Sequence, residues 1–172
     1  MKTIFFLILC SVASFVFGDV HSAELLGNNN FVGQKAPPVE LKDISGKEFS
    51  LSTLKGKVVL LQFWASWCPP CIRDLPSLDK LQQTYKNDGF VVVVISTDPD
   101  SEVVDKLVKD QKIGLSVVLD TKREVKNNYS VFALPTSFLI DKKGTIVEQY
   151  IGEKDWISQE STDVIKKILK KK

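Results

Sequence analysis

Two apolar runs stand out along the chain, at residues 57–64 and 90–95, where hydrophobic side chains follow one another almost without interruption. Such runs are typical of strands that are buried on both faces of a sheet. Between them, residues 69–87 carry apolar side chains three or four positions apart, which predicts a helix lying on that sheet. Pro76 falls inside this helix and is expected to kink it.

The rest of the pattern predicts a mixed sheet flanked by helices. Strands alternate with helices between residues 57 and 119, which favours parallel pairing, whereas short strands separated by turns predict antiparallel hairpins. The further elements are a hairpin at the sheet edge formed by residues 39–41 and 49–51, a helix capped by Ser101, a strand at residues 115–119, a hairpin formed by residues 136–140 and 145–152, and a C-terminal helix carrying Ile157, Val164, Ile165, Ile168 and Leu169. We therefore predict an α/β fold with a central mixed sheet.

Residues 1–23 are predicted to be a secretory signal peptide. Lys2 precedes an apolar stretch at residues 4–17, which is shorter than the ~20 residues that span a bilayer, and small residues suited to cleavage follow it. An uncleaved membrane anchor is the alternative. Cys10 is interpreted as an apolar residue of this leader. The mature protein is therefore expected in an extracytoplasmic compartment, the periplasm if the source is bacterial, where disulfides persist.

Composition then limits what the mature chain does. Residues 24–36 are polar and aperiodic and predict a flexible arm, which leaves residues 37–172 for one domain. The chain has 172 residues with a net charge of +2 and no basic stripe, so nothing supports binding to nucleic acid. Its single histidine, His21, lies in the predicted leader, which argues against histidine-dependent triads and histidine-rich metal sites.

The candidate chemistry lies at Cys68 and Cys71, which are separated by two prolines where the first buried strand runs into the helix. Unpaired N–H groups and the dipole at a helix N-terminus favour an anion, so the pKa of the Cys68 thiol is expected below about 8.5. Cys71 follows one turn later, within reach of Cys68, so the pair is expected to open and close as a disulfide. Cys68 is the predicted exposed attacker and Cys71 the resolving thiol.

The prolines between the cysteines change the expected redox potential. Pro69 and Pro70 have no N–H to donate to the Cys68 sulfur, which leaves the N–H of Cys71 as the nearest local donor. Fewer donors stabilise the thiolate less, so we predict a reducing rather than an oxidising potential.

Two alternatives assign the cysteines no redox role. A zinc site needs about four ligands, and a mature chain with two cysteines and no histidine lacks the other two. A static structural disulfide is the second alternative, but a bridge that closes so small a loop contributes little stability. The position at a strand-to-helix junction beside Trp67 favours a reactive pair.

At residues 63–71 the sequence Phe-Trp-Ala-Ser-Trp-Cys-Pro-Pro-Cys resembles the active-site segment of thioredoxin-fold proteins. The continuation Ile-Arg-Asp-Leu-Pro at residues 72–76 is similar to that of the TlpA/ResA-like thiol:disulfide oxidoreductases. The resemblance extends from about residue 37 to the C-terminal helix. It implies a thioredoxin-like fold with a strand and a helix inserted after the first strand–helix–strand unit, which suits residues 90–119.

The resemblance also implies a cis proline facing the cysteines, and Pro135 matches that element. A cis bond there would leave the backbone of Leu134 open for pairing with an extended substrate. Trp67, which precedes the attacking cysteine, is expected to shield it and to offer a flat apolar contact to the partner.

One departure from thioredoxin concerns the proton of Cys71. Gln62 stands where thioredoxin has a buried aspartate, and an amide does not transfer protons. Asp74 lies three residues after Cys71, where ResA-like proteins carry a glutamate, and we assign it as the acid/base that helps to deprotonate Cys71. The alternative is a first-turn carboxylate that only complements the helix dipole.

The sequence thus predicts a monomeric extracytoplasmic enzyme that reduces protein disulfides, with no cofactor beyond the redox-active pair Cys68–Cys71 and no metal. A membrane thiol donor is expected to recharge it, because an oxidising compartment supplies few electrons of its own. The resemblance implies clients such as apocytochrome c or another secreted thiol protein.

Two other functions stay open. A peroxiredoxin-like peroxidase suits the entry at residues 36–38, but such enzymes place a threonine where this chain has Ala65. A copper-handling module usually adds a distal histidine, which the mature chain lacks.

Overall fold

The computed structural model describes residues 31–171. In this part of the chain, seven strands and four helices follow one another as β1 (Glu40–Asp43), β2 (Glu48–Ser50), β3 (Val58–Trp64), α1 (Pro69–Tyr85), β4 (Phe90–Ser96), α2 (Ser101–Asp110), β5 (Ser116–Leu119), α3 (Glu124–Asn128), β6 (Thr136–Ile140), β7 (Ile146–Ile151) and α4 (Gln159–Lys170). Short 3₁₀ helices at Leu51–Leu54 and Lys86–Asp88 precede β3 and β4.

All seven strands form one mixed sheet, in the order β2-β1-β5-β4-β3-β6-β7. The three central strands β5, β4 and β3 are parallel to one another, with helices in the connections between them, whereas β6 runs antiparallel to β3. The hairpin of β1 and β2 lies at one edge and the hairpin of β6 and β7 at the other. This arrangement confirms the predicted mixed α/β sheet.

Strand β3 explains why the sheet is covered on both sides. All seven of its residues are buried, and successive side chains point to opposite faces. Leu60 faces a core that includes Leu75 of α1 and Ile168 of α4. Phe63 faces a second core that includes Tyr129 and Phe138. Gln62 shares the face of Leu60, so its amide lies under α1.

Two predicted helix starts need correction. Asp100 caps α2, because its Oδ1 accepts the N–H of Glu102 at 2.9 Å, and Ser101 is the first helical residue. Ile157 lies outside α4, which begins after the capping residue Ser158, and its side chain is 45% exposed. Helix α1 ends at Tyr85, two residues before the predicted end, and spans Pro76.

The described end of the predicted flexible arm, residues 31–36, is attached to the domain. Phe31 packs against Tyr129 and Phe138, with ring centroids 6.1 and 6.0 Å apart. The N–H of Gly33 donates to the Ile146 carbonyl at 2.8 Å, and Lys35 forms a bridge with Thr145. The folded unit therefore begins before the predicted boundary at residue 37.

The predicted leader at residues 1–23 and the remainder of the arm lie outside the described residues. Within residues 31–171, no helix is long and apolar enough to cross a membrane.

Candidate active site

The two cysteines lie where β3 passes into α1. A turn closed by a hydrogen bond from the Cys68 N–H to the Ala65 carbonyl, at 3.1 Å, connects the two elements. Cys68 is the N-cap of α1, and Pro69 and Pro70 occupy its first positions, where a missing N–H costs no helical hydrogen bond. Cys68 and Cys71 form a disulfide, with Cα atoms 5.3 Å apart. The sequence-based placement at the helix N-terminus is confirmed.

The two sulfur-bearing residues differ in burial. Cys71 has no exposed surface, whereas Cys68 is 5% exposed, so Cys68 is the more open of the two, as predicted, but it is far less exposed than expected. The reason is that Cys68 belongs to the same core cluster as Trp64 and Leu75. A molecule that reacts with Cys68 has to approach it from the small part of its surface that reaches solvent.

That part of Cys68 opens into a pocket of about 400 Å³. Two large apolar side chains stand at its rim, Trp67 at 63% exposed and Phe132 at 79% exposed. Leu134 also lines it, and the following Leu134–Pro135 peptide bond is cis, as the resemblance implies. The structure thus brings the proposed attacking cysteine together with Trp67 and Leu134. The other residues of the lining are Pro69, Thr97, Arg123 and Lys126.

Asp74 lies among the buried residues of α1, three positions after Cys71. It is 3% exposed, although it is a carboxylate in the second turn of α1. Gln62 of β3 donates to its Oδ2 at 3.4 Å, and Ser137 of β6 donates to the Gln62 carbonyl oxygen at 2.9 Å. This chain of hydrogen bonds fixes which end of the Gln62 amide faces Asp74.

Burial, together with the nearby negative charge of Glu153, raises the pKa of Asp74 to about 6. Hydrogen bonding by Gln62 and by the Lys154 backbone N–H opposes the rise. A group that titrates near pH 6 exchanges protons readily at neutral pH.

The alternative assignment of Asp74 as a dipole-complementing carboxylate does not suit this site. No acidic residue lies in the first turn of α1. A carboxylate that only complemented the dipole would sit in that turn and would have a lowered pKa, whereas the pKa of Asp74 is raised.

Glu153 and Arg73 form an exposed ion pair near Asp74. The Arg73 guanidinium donates twice to the Glu153 carboxylate, at 3.0 and 2.7 Å, from Nε and Nη2. This bidentate pair lowers the pKa of Glu153, so Glu153 stays negative near Asp74. Sequence reasoning missed this ion pair, because Glu153 lies in the loop after β7 and has no periodic signal.

A second buried carboxylate, Asp98, supports the turn before Cys68. It accepts the Ser66 N–H at 2.9 Å and the Ser66 hydroxyl at 2.8 Å, and the Ser96 hydroxyl at 2.7 Å. These bonds tie the turn to the carboxyl end of β4. The sequence signal for this role of Asp98 is a polar residue just past a buried parallel strand.

Comparison with known proteins shows which family the chain resembles. A sequence model of the AhpC/TSA family matches residues 32–149, which is more than half of the chain. The chain is 36% identical to the thiol-disulfide oxidoreductase ResA of Bacillus cereus over 157 residues, or 88% of this chain and 87% of that protein. It is 38% identical to the Bacillus subtilis protein of that name, over 70% of this chain and 67% of that one.

A crystal structure from Chlorobium tepidum, of a protein provisionally named thiol:disulfide interchange protein DsbE, superposes with a TM-score of 0.76 at 34% identity. The match covers 80% of this chain and 97% of that one, which confirms the predicted thioredoxin-like fold. The chain therefore belongs to the AhpC/TSA family and, within it, to the ResA-like thiol-disulfide oxidoreductases.

Proposed function

We propose that the protein is an extracytoplasmic reductase of protein disulfides that works through the Cys68–Cys71 pair. The observation that carries the proposal is the asymmetric placement of the two cysteines. Cys68 borders an open pocket, while Cys71 is fully buried one turn along α1, on the side of Asp74. An attacking thiol needs access to the client, whereas a resolving thiol needs access only to its neighbour.

The reaction begins with the reduced enzyme. The Cys68 thiolate attacks one sulfur of the client disulfide, forms a mixed disulfide with it and expels the other client sulfur as a thiolate, which takes up a proton. Cys71 then loses its proton and attacks the Cys68 sulfur, which releases the second client thiolate. The client gains two electrons and two protons, and the enzyme is left with the Cys68–Cys71 disulfide.

Asp74 accepts the proton of Cys71 in this scheme. At neutral pH a carboxyl with a pKa of about 6 is mostly ionised, so it is able to act as a base. Its burial and the fixed Gln62 amide keep the carboxylate within the interior of the site.

The helix N-terminus supports the proposed direction of electron flow. Pro69 and Pro70 offer the Cys68 sulfur no N–H donor, which weakens stabilisation of its thiolate and favours a reducing potential. We propose that a membrane thiol donor recharges the oxidised enzyme, since an extracytoplasmic compartment supplies few electrons. The enzyme acts as a monomer without a further cofactor, and apocytochrome c is one client suggested by the resemblance.

A trapping experiment tests the proposed function. Cys71→Ala is expected to leave clients bound to Cys68 as mixed disulfides, and the double variant Cys68→Ala/Cys71→Ala is the control that traps none. Identification of the trapped proteins shows whether apocytochrome c is among them.

Two solution measurements test the chemistry and its direction. The wild-type protein is expected to accelerate insulin precipitation by dithiothreitol, and its equilibrium with glutathione is expected to give a reducing potential. Failure to reduce insulin would refute the reductase, and a potential as high as that of strong periplasmic oxidants would refute the direction.

A thiol peroxidase is the second candidate, because the AhpC/TSA family model matches the chain. In such an enzyme Cys68 would reduce a peroxide and become a sulfenic acid, which Cys71 would convert to the disulfide with loss of water. The buried Ala65 takes the position where peroxiredoxin-like enzymes carry a threonine, so we rank this function second. Rapid oxidation of the reduced protein by hydrogen peroxide, at rates above those with insulin, would reverse the order.

A further inference from the structure

The pocket beside Cys68 carries positive charge as well as aromatic surface. Arg123, at the start of α3, and Lys126, within it, line the same pocket as Trp67. Among residues 31–171, no acidic residue lines the pocket. A client disulfide that reaches Cys68 therefore meets two aromatic rings and two cations in the pocket lining.

Both cations are available to a partner. Arg123 uses its Nε to donate to the Thr97 carbonyl at 3.2 Å, which orients the guanidinium and leaves its terminal nitrogens for other contacts. The Lys126 side chain is half-buried. Within residues 31–171, neither Arg123 nor Lys126 takes part in an ion pair.

The nearest buried carboxylates are engaged elsewhere. Asp120 accepts the backbone N–H groups of Val125 and Lys126, at 3.3 and 2.7 Å, and so holds the start of α3. Asp98 accepts hydrogen bonds from the turn before Cys68. Both are almost fully buried, so they hold the loops in place and do not extend into the pocket.

We propose that this pocket selects client segments that carry an acidic side chain close to the reactive cystine and an apolar side chain for the rings of Trp67 and Phe132. The inference rests on the proposed function and narrows its substrate class. Complementary charge raises the association rate and fixes the register of the client, while desolvation of the aromatic rings provides affinity.

Matched disulfide-linked peptides test this selection. Each peptide contains the same aromatic residue and a single cysteine, which forms the disulfide link. The peptides differ only in the residues on either side of the cysteine, which are Glu, Gln or Lys. The reduced full-length protein is mixed with each peptide, and the released peptide thiol is measured over time. Two exposed ion pairs predict a rate roughly five- to tenfold higher for the Glu peptide than for the Lys peptide at low salt. This ratio is expected to fall towards one at about 1 M salt.

Three variants separate the pocket charges from the overall charge of the protein. Arg123→Gln/Lys126→Gln is expected to bring the Glu-to-Lys rate ratio close to one. Lys126→Glu, which leaves the bond between Arg123 and Thr97 in place, is expected to move the preference towards the Lys peptide. Lys167→Gln/Lys170→Gln removes the same charge from α4 and is expected to keep the wild-type ratio.

Equal rates for the Glu and Lys peptides with the wild-type protein would overturn the selection, as would a ratio that survives in Arg123→Gln/Lys126→Gln. In either case the peptides would still be reduced, so the reductase function would stand. If neither the peptides nor insulin were reduced, the proposed function would fail, and the selection with it.

Discussion

The surroundings of Cys68 and Cys71 differ although the two residues lie one helical turn apart. On the Cys68 side, exposed aromatic rings and two cations border an open pocket. On the Cys71 side, Gln62, Asp74 and Ser137 form a hydrogen-bonded chain that is almost without exposed surface. Under the proposed function, capture of a client takes place in an open cationic environment and its release depends on a closed acidic one.

The difference arises from the position at which β3 ends and from the direction in which α1 continues. The turn after β3 places Cys68 at the end of the sheet, where loops from β4 and β6 leave a gap. One turn later, α1 already lies on the sheet, so Cys71 is fully buried and Asp74 reaches the buried side chain of Gln62. A spacing of three residues is therefore enough to move from the border of the pocket to the fully buried interior.

The largest effect is expected from Cys68→Ser. It removes the attacking sulfur, so insulin reduction should fall to the rate of dithiothreitol alone. Cys71→Ser keeps the first step and should release one client thiol per enzyme before it stops. Thiol release measured over the first turnover distinguishes the two variants. Full turnover by Cys68→Ser would mean that the buried cysteine is the attacker.

Asp74→Asn is expected to have the next largest effect, on the release step. Removal of a general base costs about a hundredfold or more, so the mixed disulfide should persist at pH 7 while its formation stays near the wild-type rate. In the wild-type protein, release should slow as the pH falls through about 6, because Asp74 becomes protonated. Asp74→Asn should lack this inflection.

Quenched-flow measurement of mixed-disulfide decay between pH 5 and pH 8 tests the role of Asp74. Asp74→Glu is the matched control, since it keeps the carboxyl and should recover most of the rate. An unchanged decay rate in Asp74→Asn at every pH would remove Asp74 from the mechanism.

The difference between the two sides also explains what could be predicted from the sequence. The elements that place the cysteines follow from local patterns: the apolar run of β3, the prolines at the start of α1 and the spacing of Cys68 and Cys71. Asp74 was assigned because it lies three residues after Cys71 on the same helix, where ResA-like proteins carry a glutamate. These residues lie within 17 positions of one another, so local patterns and the resemblance of one short segment relate them.

The residues that complete each side come from distant parts of the chain. Ser137 reaches Gln62 across 75 positions and Glu153 reaches Arg73 across 80, through strand pairing and a loop that have no periodic signal. Arg123 and Phe132 reach the pocket from α3 and the segment after it. Local sequence patterns also could not predict the small exposed fraction of Cys68, because that fraction depends on how these distant segments pack around the residue.

The buried charge of Asp74 should cost stability in a pH-dependent way. Its pKa in the folded protein, about 6, lies above the ordinary value of 3.8, so the folded state holds the proton more tightly than the unfolded state. The wild type should therefore lose stability relative to Asp74→Asn as the pH rises from about 4 to about 7, by about 3 kcal/mol at most. Urea unfolding of both oxidised proteins at several pH values measures this difference.

Asp163→Asn is the control for this stability measurement. Asp163 is exposed, and hydrogen bonding by Gln159 lowers its pKa, so its neutralisation should change stability with pH in the opposite direction. A difference between Asp74→Asn and the wild type that is the same at pH 4 and pH 8 would show that Asp74 carries no raised pKa in the folded protein.

The smallest effect is expected from Ser137→Ala, which leaves every reacting group in place. Ser137 holds the carbonyl oxygen of Gln62, so that the amide N–H faces Asp74. Without this hydrogen bond from Ser137, the Gln62 amide loses its fixed orientation. It then stabilises the Asp74 carboxylate less, which raises the pKa of Asp74. A hydrogen bond contributes about 0.5–1.5 kcal/mol, so the inflection in the release rate should move up by about one pH unit or less.

Ser137→Thr is the control for this prediction, because it keeps the hydroxyl and should keep the wild-type inflection. An inflection unmoved in Ser137→Ala, with a lower rate at every pH, would assign Ser137 a purely structural role and leave Asp74 independent of β6.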